Sequence, residues 1–520
     1  MSHERRLTLW CMIGILLLGA ALRFVALEHS PPGLAPDEAS NGYDAYSIAL
    51  TGRDQHGNLL PTVMASLNDY RMPAFIYAAT PFVGVLGLSV TSIRMTAAML
   101  GWLGLPLIYW LGAHMVNRRA GLIAALLLAL SPWHFPLSRI GLEFSMVSLL
   151  VTASVAAVWA WHMGGHQVGW ALGAAVLFGL TLYTHSAMKL LAPAMMAGLA
   201  VLLWPEVRRH PRQVALLAGI CGVMALPILI DTWRIPEMMQ ARYAQVAVFA
   251  PDRPFGDATR EALANWAAQI SPSFLFLLGD TDALRHPPGM GQLYWIQAPL
   301  LALSLVCGVC MRRYRKALGL LILWVALAGV PVALTSLDSQ TGHATRSASA
   351  IVPWQVLSAA GFAWVWDRWR RWHAVLIVLF LLGLLVQGTP YMTHYFTDYP
   401  REVALRFDDG MRQVVETMDA FDDAHDVVVF TEQASWPYLH ILFFTQYDPG
   451  LLQTDLPVRG SELFAPVTRV GKYVIGDVER MYGELNHGLF VMPEWMLPGV
   501  EPLAVTYRSN GTSAYKIVEK

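Results

Sequence analysis

Apolar runs long enough to cross the hydrocarbon core of a bilayer recur eleven times in this 520-residue chain, at about 7–27, 91–114, 120–136, 143–163, 168–184, 190–204, 213–232, 292–311, 317–335, 350–366 and 373–389. A helical span needs on the order of 20 predominantly apolar residues, because each rises about 1.5 Å through a core about 30 Å thick. Only helices and closed barrels satisfy every backbone N–H and C=O in lipid. Repeated runs of this length therefore predict an α-helical polytopic membrane protein. The charge content agrees: 14% of residues are charged and 55% hydrophobic, against about 25% charged in an ordinary soluble domain. A charge at mid-bilayer is costly, so such a chain sheds charges. The net charge of -1 excludes a nucleic-acid binder that works through bulk positive charge. The 11% aromatic content excludes a disordered chain.

Arg23 interrupts the first run and no small-residue cleavage site follows it, so an uncleaved first span is expected. The four cysteines, Cys11, Cys221, Cys307 and Cys310, all sit inside apolar runs and offer no disulfide framework. The Cys307/Cys310 spacing reads as helix packing.

The loops alternate in character. One set is short and basic: Arg5-Arg6, Asn117-Arg118-Arg119, 208–212, 312–316 and 368–371. The positive-inside rule assigns that set to the cytoplasm. The N-terminus is then cytoplasmic and the C-terminal segment extracytoplasmic, in what we expect to be a bacterial inner membrane. Residues 1–390 are expected to form the membrane domain, with large outer loops at 28–90 and 233–291, and 391–520 a soluble extracytoplasmic α/β domain. An interfacial helix is expected over 73–88 and an amphipathic one over 257–270. In the tail, 427–430 and 473–475 read as strands, and 503–508 with 513–518 flank the hairpin signal Asn510-Gly511. The acidic pairs Asp408-Asp409 and Asp422-Asp423 read as solvated faces.

Ionisable residues near the spans (Arg23, Arg94, Arg139, Glu143, Lys189, Asp231 and Arg346) gather toward the outer ends under this topology. Pumps and ion transporters place such groups near the midplane. An enzyme acting at the outer lipid–water boundary fits better; the alternative is a transporter or flippase of a lipid-linked glycan. The sharpest local feature is Pro36-Asp37-Glu38, just after the first span, followed by Asn41, Tyr43, Asp44 and Tyr46. Acidic residues also simply favour a helix N-terminus. Here, however, Arg71, Arg139, Lys189 and Arg346 supply cations from separate outer loops. A lipid phosphate needs such cations, and a hydroxyl needs a base to become a nucleophile.

Three segments, Pro36-Asp37-Glu38, Tyr43-Asp44-Ala45-Tyr46 and Arg71-Met72-Pro73-Ala74-Phe75-Ile76-Tyr77, resemble the first outer loop of GT-C glycosyltransferases. The branch is the one containing protein O-mannosyltransferases and the lipid A aminoarabinose transferase. Ser131-Pro132-Trp133-His134 with Ser138-Arg139 and Glu143 is similar to its second outer loop. Residues 274–280, Arg285-His286 and Tyr294, and then 343–346, resemble later outer segments. The resemblance implies inverting transfer of a sugar from a polyprenyl-phosphate donor to an acceptor hydroxyl on the extracytoplasmic side. The acceptor is a lipid, glycan or protein. It implies Asp37 as base, Glu38 and Glu143 as further acidic site residues, and Arg71 as a donor-phosphate contact. Arg139, Lys189 and Arg346 are the other expected phosphate contacts. The match departs at Arg71, where the family commonly has Lys, and at Met72-Pro73, where it commonly has Pro-Pro. Some members of the superfamily use a divalent metal. Asp37, Glu38, His56 and His343 have ligand chemistry, but no spacing among them defines a metal site. Membrane lipids are the other expected partners, and nucleic acid is not one.

Overall fold

The computed structural model describes residues 3–67, 69–235, 247–336, 342–422, 425–459 and 466–520. By packing the chain divides into two compact units. The first comprises Met1–Val25, Ala97–Arg139 and Glu143–Thr393; the second comprises Ala26–Thr96, Ile140–Leu142 and His394–Lys520.

The first unit is helical. Among the described residues, seven helices of the chain are long and apolar enough to cross a membrane: His3–Phe24, Val90–Met115, Phe144–Met163, Pro211–Arg234, Arg312–Ala333, Ala348–Arg368 and Arg370–Thr397. The other four expected spans fall on shorter helices, Arg118–Leu130, Val168–Thr181, Met188–Leu202 and Gln297–Cys310. A 14-residue helix covers only about 21 Å. Eleven full spans are therefore not what the helices show, although all eleven apolar runs are helical. One shortening has a local cause: at Ser131-Pro132 the chain breaks before resuming as the turn His134–Leu137.

Close helix contacts rest on small residues, as expected where van der Waals packing rather than hydrophobicity joins helices in lipid. Gly361 of helix Ile351–Arg368 lies directly over the Leu300 carbonyl of helix Gln297–Cys310, with no room for a Cβ. Helix Arg118–Leu130 starts from an Asn117 N-cap whose side chain accepts from the Ala120 N–H at 3.0 Å. Cys307 is buried and Cys310 exposed, both as free thiols. Helix Phe255–Ala268 stands where the amphipathic helix was expected.

The second unit holds a seven-stranded sheet. Its strands are β3 (Val428–Thr431), β4 (Val458–Arg459), β5 (Val467–Val470), β6 (Tyr473–Gly476), β7 (Leu489–Met492), β8 (Ala504–Tyr507) and β9 (Ser513–Glu519). A small hairpin earlier in the chain supplies β1 (Met64–Ser66) and β2 (Asp69–Arg71). The large sheet runs β4-β5-β6-β3-β7-β9-β8. Its centre, β3, pairs parallel with β6 and β7; the remaining pairs are antiparallel. Every residue of β3 and β7 is buried, as both faces of a central strand require. The expected hairpin forms as β8–β9, with Gly511 at φ 82° in its turn.

Within this unit the segment after the first span packs on the tail. Helix Pro36–Thr51 lies against helix Pro437–Phe444. The Leu34 N–H donates to the Phe407 carbonyl at 2.8 Å, and the Tyr43 hydroxyl to the Tyr447 carbonyl at 2.8 Å. Asp408 is not the solvated acid the sequence suggested. Only 13% exposed, it lies 3.8 Å from the buried His440 imidazole, and burial pushes its carboxyl up to about 7. Its neighbour Asp409 accepts from the Ser509 N–H at 2.6 Å. Asp423, of the other pair, lies outside the described residues.

Candidate functional site

The expected acid pair opens a helix. Ala35 is extended, Pro36 presets the first turn, and helix Pro36–Thr51 runs to a left-handed C-cap at Gly52. Adjacent helical positions differ by about 100° around the axis, so Asp37 and Glu38 leave the helix in different directions.

Glu38 turns inward and is fully buried. Its carboxylate accepts four hydrogen bonds: from Arg94 Nε at 2.9 Å and Nη2 at 2.8 Å, from the Gly141 N–H at 2.6 Å, and from the Ala35 N–H at 3.3 Å. Arg94 is also fully buried, and it donates further to the carbonyls of Leu27, Pro31 and Gly33 at 2.7–2.9 Å. The pair therefore ties the turn leading into the helix to the 140–142 segment. Burying two charges is tolerable only when both are paired and hydrogen-bonded, and here they are.

Asp37 turns outward. Its side chain is 46% exposed and forms an ion pair with Arg71, itself 17% exposed. Arg71 also donates to the Asp37 carbonyl at 3.0 Å and to Asn41 Oδ1 at 3.1 Å. Asn41 in turn donates to the Gly141 carbonyl at 3.2 Å. Arg71 ends β2, whose partner β1 is joined to helix Pro36–Thr51 through Ser66 and Ser40, 2.9 Å apart. The carboxylate thus sits in the first turn of a helix, where the macrodipole favours negative charge, beside a guanidinium held in place by a hairpin. Further along, Asp44 is buried and accepts from the Gln55 N–H at 3.0 Å and Nε2 at 3.1 Å. Burial outweighs those bonds and pushes its carboxyl up to about 8.

The remaining candidates stand in the first unit. Glu143 precedes helix Phe144–Met163, with its carboxylate 3.8 Å from His185 Nε2. Lys189 occupies the first turn of helix Met188–Leu202 and makes no side-chain hydrogen bond or ion pair among the described residues. Arg346 donates to Thr335 Oγ1 at 2.9 Å. Its loop is pinned by three bonds: Ala344 N–H to Asp280 at 2.7 Å, His343 N–H to Gln269 at 3.2 Å, and Trp133 Nε1 to the Ala344 carbonyl at 2.9 Å. Burial raises the Asp280 carboxyl above its usual range despite Arg285 nearby. Arg139 is wholly buried and donates to the Leu22 carbonyl at 2.5 Å and the Arg23 carbonyl at 3.2 Å. His134 meets Arg23 at 3.0 Å.

Sequence reasoning named Asp37, Glu38 and Arg71 but gave Arg94, Asn41 and Gly141 no role. The one signal for Arg94 was a lone arginine at the edge of an apolar run. Among the described residues, no three His, Cys, Asp or Glu side chains gather as metal ligands. Glu38, with four protein donors on its two oxygens, does not present itself as a ligand.

Residues 71–233 match the family described as dolichyl-phosphate-mannose-protein mannosyltransferase. No curated protein matches the chain in sequence. In structure the chain is similar to ArnT from Cupriavidus metallidurans bound to undecaprenyl phosphate, with a TM-score of 0.57 at 12% identity over 98% of this chain and 97% of that one. It is also similar to the oligosaccharyltransferase AglB from Archaeoglobus fulgidus in complex with an inhibitory peptide and a dolichol-phosphate. There the TM-score is 0.51 at 12% identity, over 85% of this chain and 64% of that one. The fold is of the GT-C type, as the first outer loop suggested.

Proposed function

We propose that the protein is an inverting glycosyltransferase that moves a sugar from a polyprenyl-phosphate donor to an acceptor hydroxyl on the extracytoplasmic side of the membrane. The observation that carries this reading is the division of labour between two adjacent acids. Glu38 is enclosed by donors, whereas Asp37 is half-exposed and paired with a cation. In the proposed reaction the acceptor hydroxyl gives its proton to the Asp37 carboxylate as its oxygen attacks the anomeric carbon. The bond to the phosphate oxygen breaks on the opposite face, which inverts the configuration, and the polyprenyl phosphate leaves with the bonding electrons. Arg71 has a fork suited to phosphate. Its engagement with the donor weakens its hold on Asp37 and so makes that carboxylate a better base. Lys189 and Arg346 are the further proposed phosphate contacts, and Glu143 a proposed site acid. Arg139 and Glu38, whose side chains are spent on the protein, are proposed to position the loops rather than to touch the donor. ArnT with undecaprenyl phosphate and AglB with dolichol-phosphate support a lipid-phosphate donor class.

The test is transfer by purified protein from a synthetic polyprenyl-phosphate sugar. Asp37→Asn keeps the shape of the side chain and removes the proton acceptor. Turnover should fall by about 10²–10⁴-fold, the usual cost of losing a general base, with donor binding retained. Undiminished turnover in Asp37→Asn would remove Asp37 from the chemistry. Movement of intact lipid across vesicles without transfer would favour a flippase instead.

A further inference from the structure

An apolar cavity of about 190 Å³ opens in the first unit among helices Phe144–Met163, Val168–Thr181, Met188–Leu202 and Pro211–Arg234. Small residues make it. Helices Val168–Thr181 and Pro211–Arg234 touch closely where Gly179 receives Met224, and Cys221 Sγ donates to the Ala175 carbonyl at 3.2 Å. Toward their other ends, Ala171 and Ala174 face Val214 and Ala218 across open space. Phe178 and Leu199 also line it. Helix Pro211–Arg234 is the most exposed of the long apolar helices, with 11% of its apolar window buried. The cavity is therefore bordered by a helix that faces lipid.

One end of this cavity is polar in a particular way. Trp161 Nε1 donates to Gln213 Oε1 at 2.6 Å, and Gln213 Nε2 to the His166 carbonyl at 3.0 Å. His166 stacks on His210 with ring centroids 4.3 Å apart. Its Nε2 has no hydrogen-bond partner among the described residues. Trp170 and Trp204 are exposed beside this rim, as tryptophans are at a lipid–water boundary. Immediately outside it come Arg208, Arg209 and Arg212, all exposed. Arg208 follows the lining residue Val207, and Arg212 precedes the lining residue Gln213. The nearby acid, Glu206, is spent on Lys316 at 2.7 Å and His162 at 3.3 Å, so it leaves the arginines' charge uncancelled.

A basic loop by itself reports orientation. A basic loop at the mouth of an apolar slot that opens to lipid matches an amphiphile with a negative head. We propose that this cavity seats one acyl chain of an anionic diacyl phospholipid, whose phosphate meets Arg208, Arg209 and Arg212. Basic pockets between spanning helices bind anionic headgroups in this manner. The seated lipid would fill the wedge between helices Val168–Thr181 and Pro211–Arg234 and hold the more exposed one in place.

The test is native mass spectrometry of the full-length protein, delipidated in mild detergent and offered dioleoyl-phosphatidylglycerol, dioleoyl-phosphatidylcholine or a polyprenyl phosphate. Wild type should retain one phosphatidylglycerol at least about tenfold more tightly than phosphatidylcholine, and R208Q and R212Q should each cut that preference by about fivefold. These arginines are exposed, so the variants should fold, and their melting without lipid should match wild type. A218F, which fills the slot beyond its mouth, should lose both phospholipids. Equal retention of the two phospholipids by wild type would overturn the proposal, as would unchanged retention in all three variants. Displacement of phosphatidylglycerol by the polyprenyl phosphate would also overturn it, since the slot would then belong to the donor's tail.

Discussion

Removing Arg94 should damage the protein more than removing the charge of Glu38, and the reason lies in the inventory of bonds each makes. Arg94→Met leaves a buried carboxylate with only two backbone donors and leaves the carbonyls of Leu27, Pro31 and Gly33 without their guanidinium. Breaking a buried pair from one side typically costs about 3–5 kcal/mol. Glu38→Gln keeps an oxygen for the Gly141 N–H and leaves Arg94 with its three carbonyls, so the loss should be about 1–3 kcal/mol. The second unit has about 200 residues, and a domain of that size melts about 2–4 °C lower per kcal/mol. Arg94→Met should therefore melt about 6–20 °C lower, and Glu38→Gln about 2–12 °C lower. The assay is thermal unfolding of the purified full-length variants in detergent, with tail proteolysis reporting the second unit. The double variant Glu38→Leu/Arg94→Met should recover part of the loss, because no buried charge remains. Recovery stays partial because the three carbonyls are still bare. A reversed order of the single variants, or strict additivity in the double, would show that the pair does not act as a buried clamp.

Arg71→Ala should raise the donor KM and lower kcat, since a charge-assisted contact worth about 1.5–3 kcal/mol is lost, and Arg71→Lys should keep part of the activity as a point charge without the fork; steady-state kinetics against donor concentration checks both. Arg346→Ala should weaken donor use with little change in melting, and unaltered donor KM and kcat would take it out of the site. Asp44 sets a pH dependence of stability. Its carboxyl is raised to about 8 in the folded chain against about 3.9 unfolded, so the folded state holds a proton that the unfolded state has lost. The stabilisation from that proton is full below about pH 4 and is lost as pH rises through about 8. Melting temperature followed from pH 5 to 8.5 should fall, and Asp44→Asn should flatten the decline; an identical slope in both proteins would discount Asp44 as its source.

Much of the architecture was legible because hydropathy is local. A helix in lipid satisfies its own backbone, so each apolar run declares its structure without reference to any neighbour, and all eleven runs are helical. Four of the described tail strands, β3, β6, β8 and β9, announced themselves through β-branched clusters and the Asn510-Gly511 turn in the same way, whereas β4, β5 and β7 were not expected. Helix length was less legible, since Ser131-Pro132 ends a helix inside a run that hydropathy alone extends.

Asp37 and Glu38 mark the limit. As neighbours in one acidic pair they are indistinguishable by composition, spacing or helix propensity. Their roles diverge because the helix turns about 100° between them, sending one carboxylate outward to Arg71 and the other inward to Arg94 and the Gly141 N–H. Those inward partners lie 56 and 103 residues away along the chain. Which acid stays accessible is therefore decided by long-range packing. The segments carried their own helices and strands, because backbone hydrogen bonding and hydropathy act over a few residues. Tertiary structure alone chose which of two adjacent carboxylates is a buried clamp and which faces outward, because burial of a charge depends on partners brought from elsewhere in the chain.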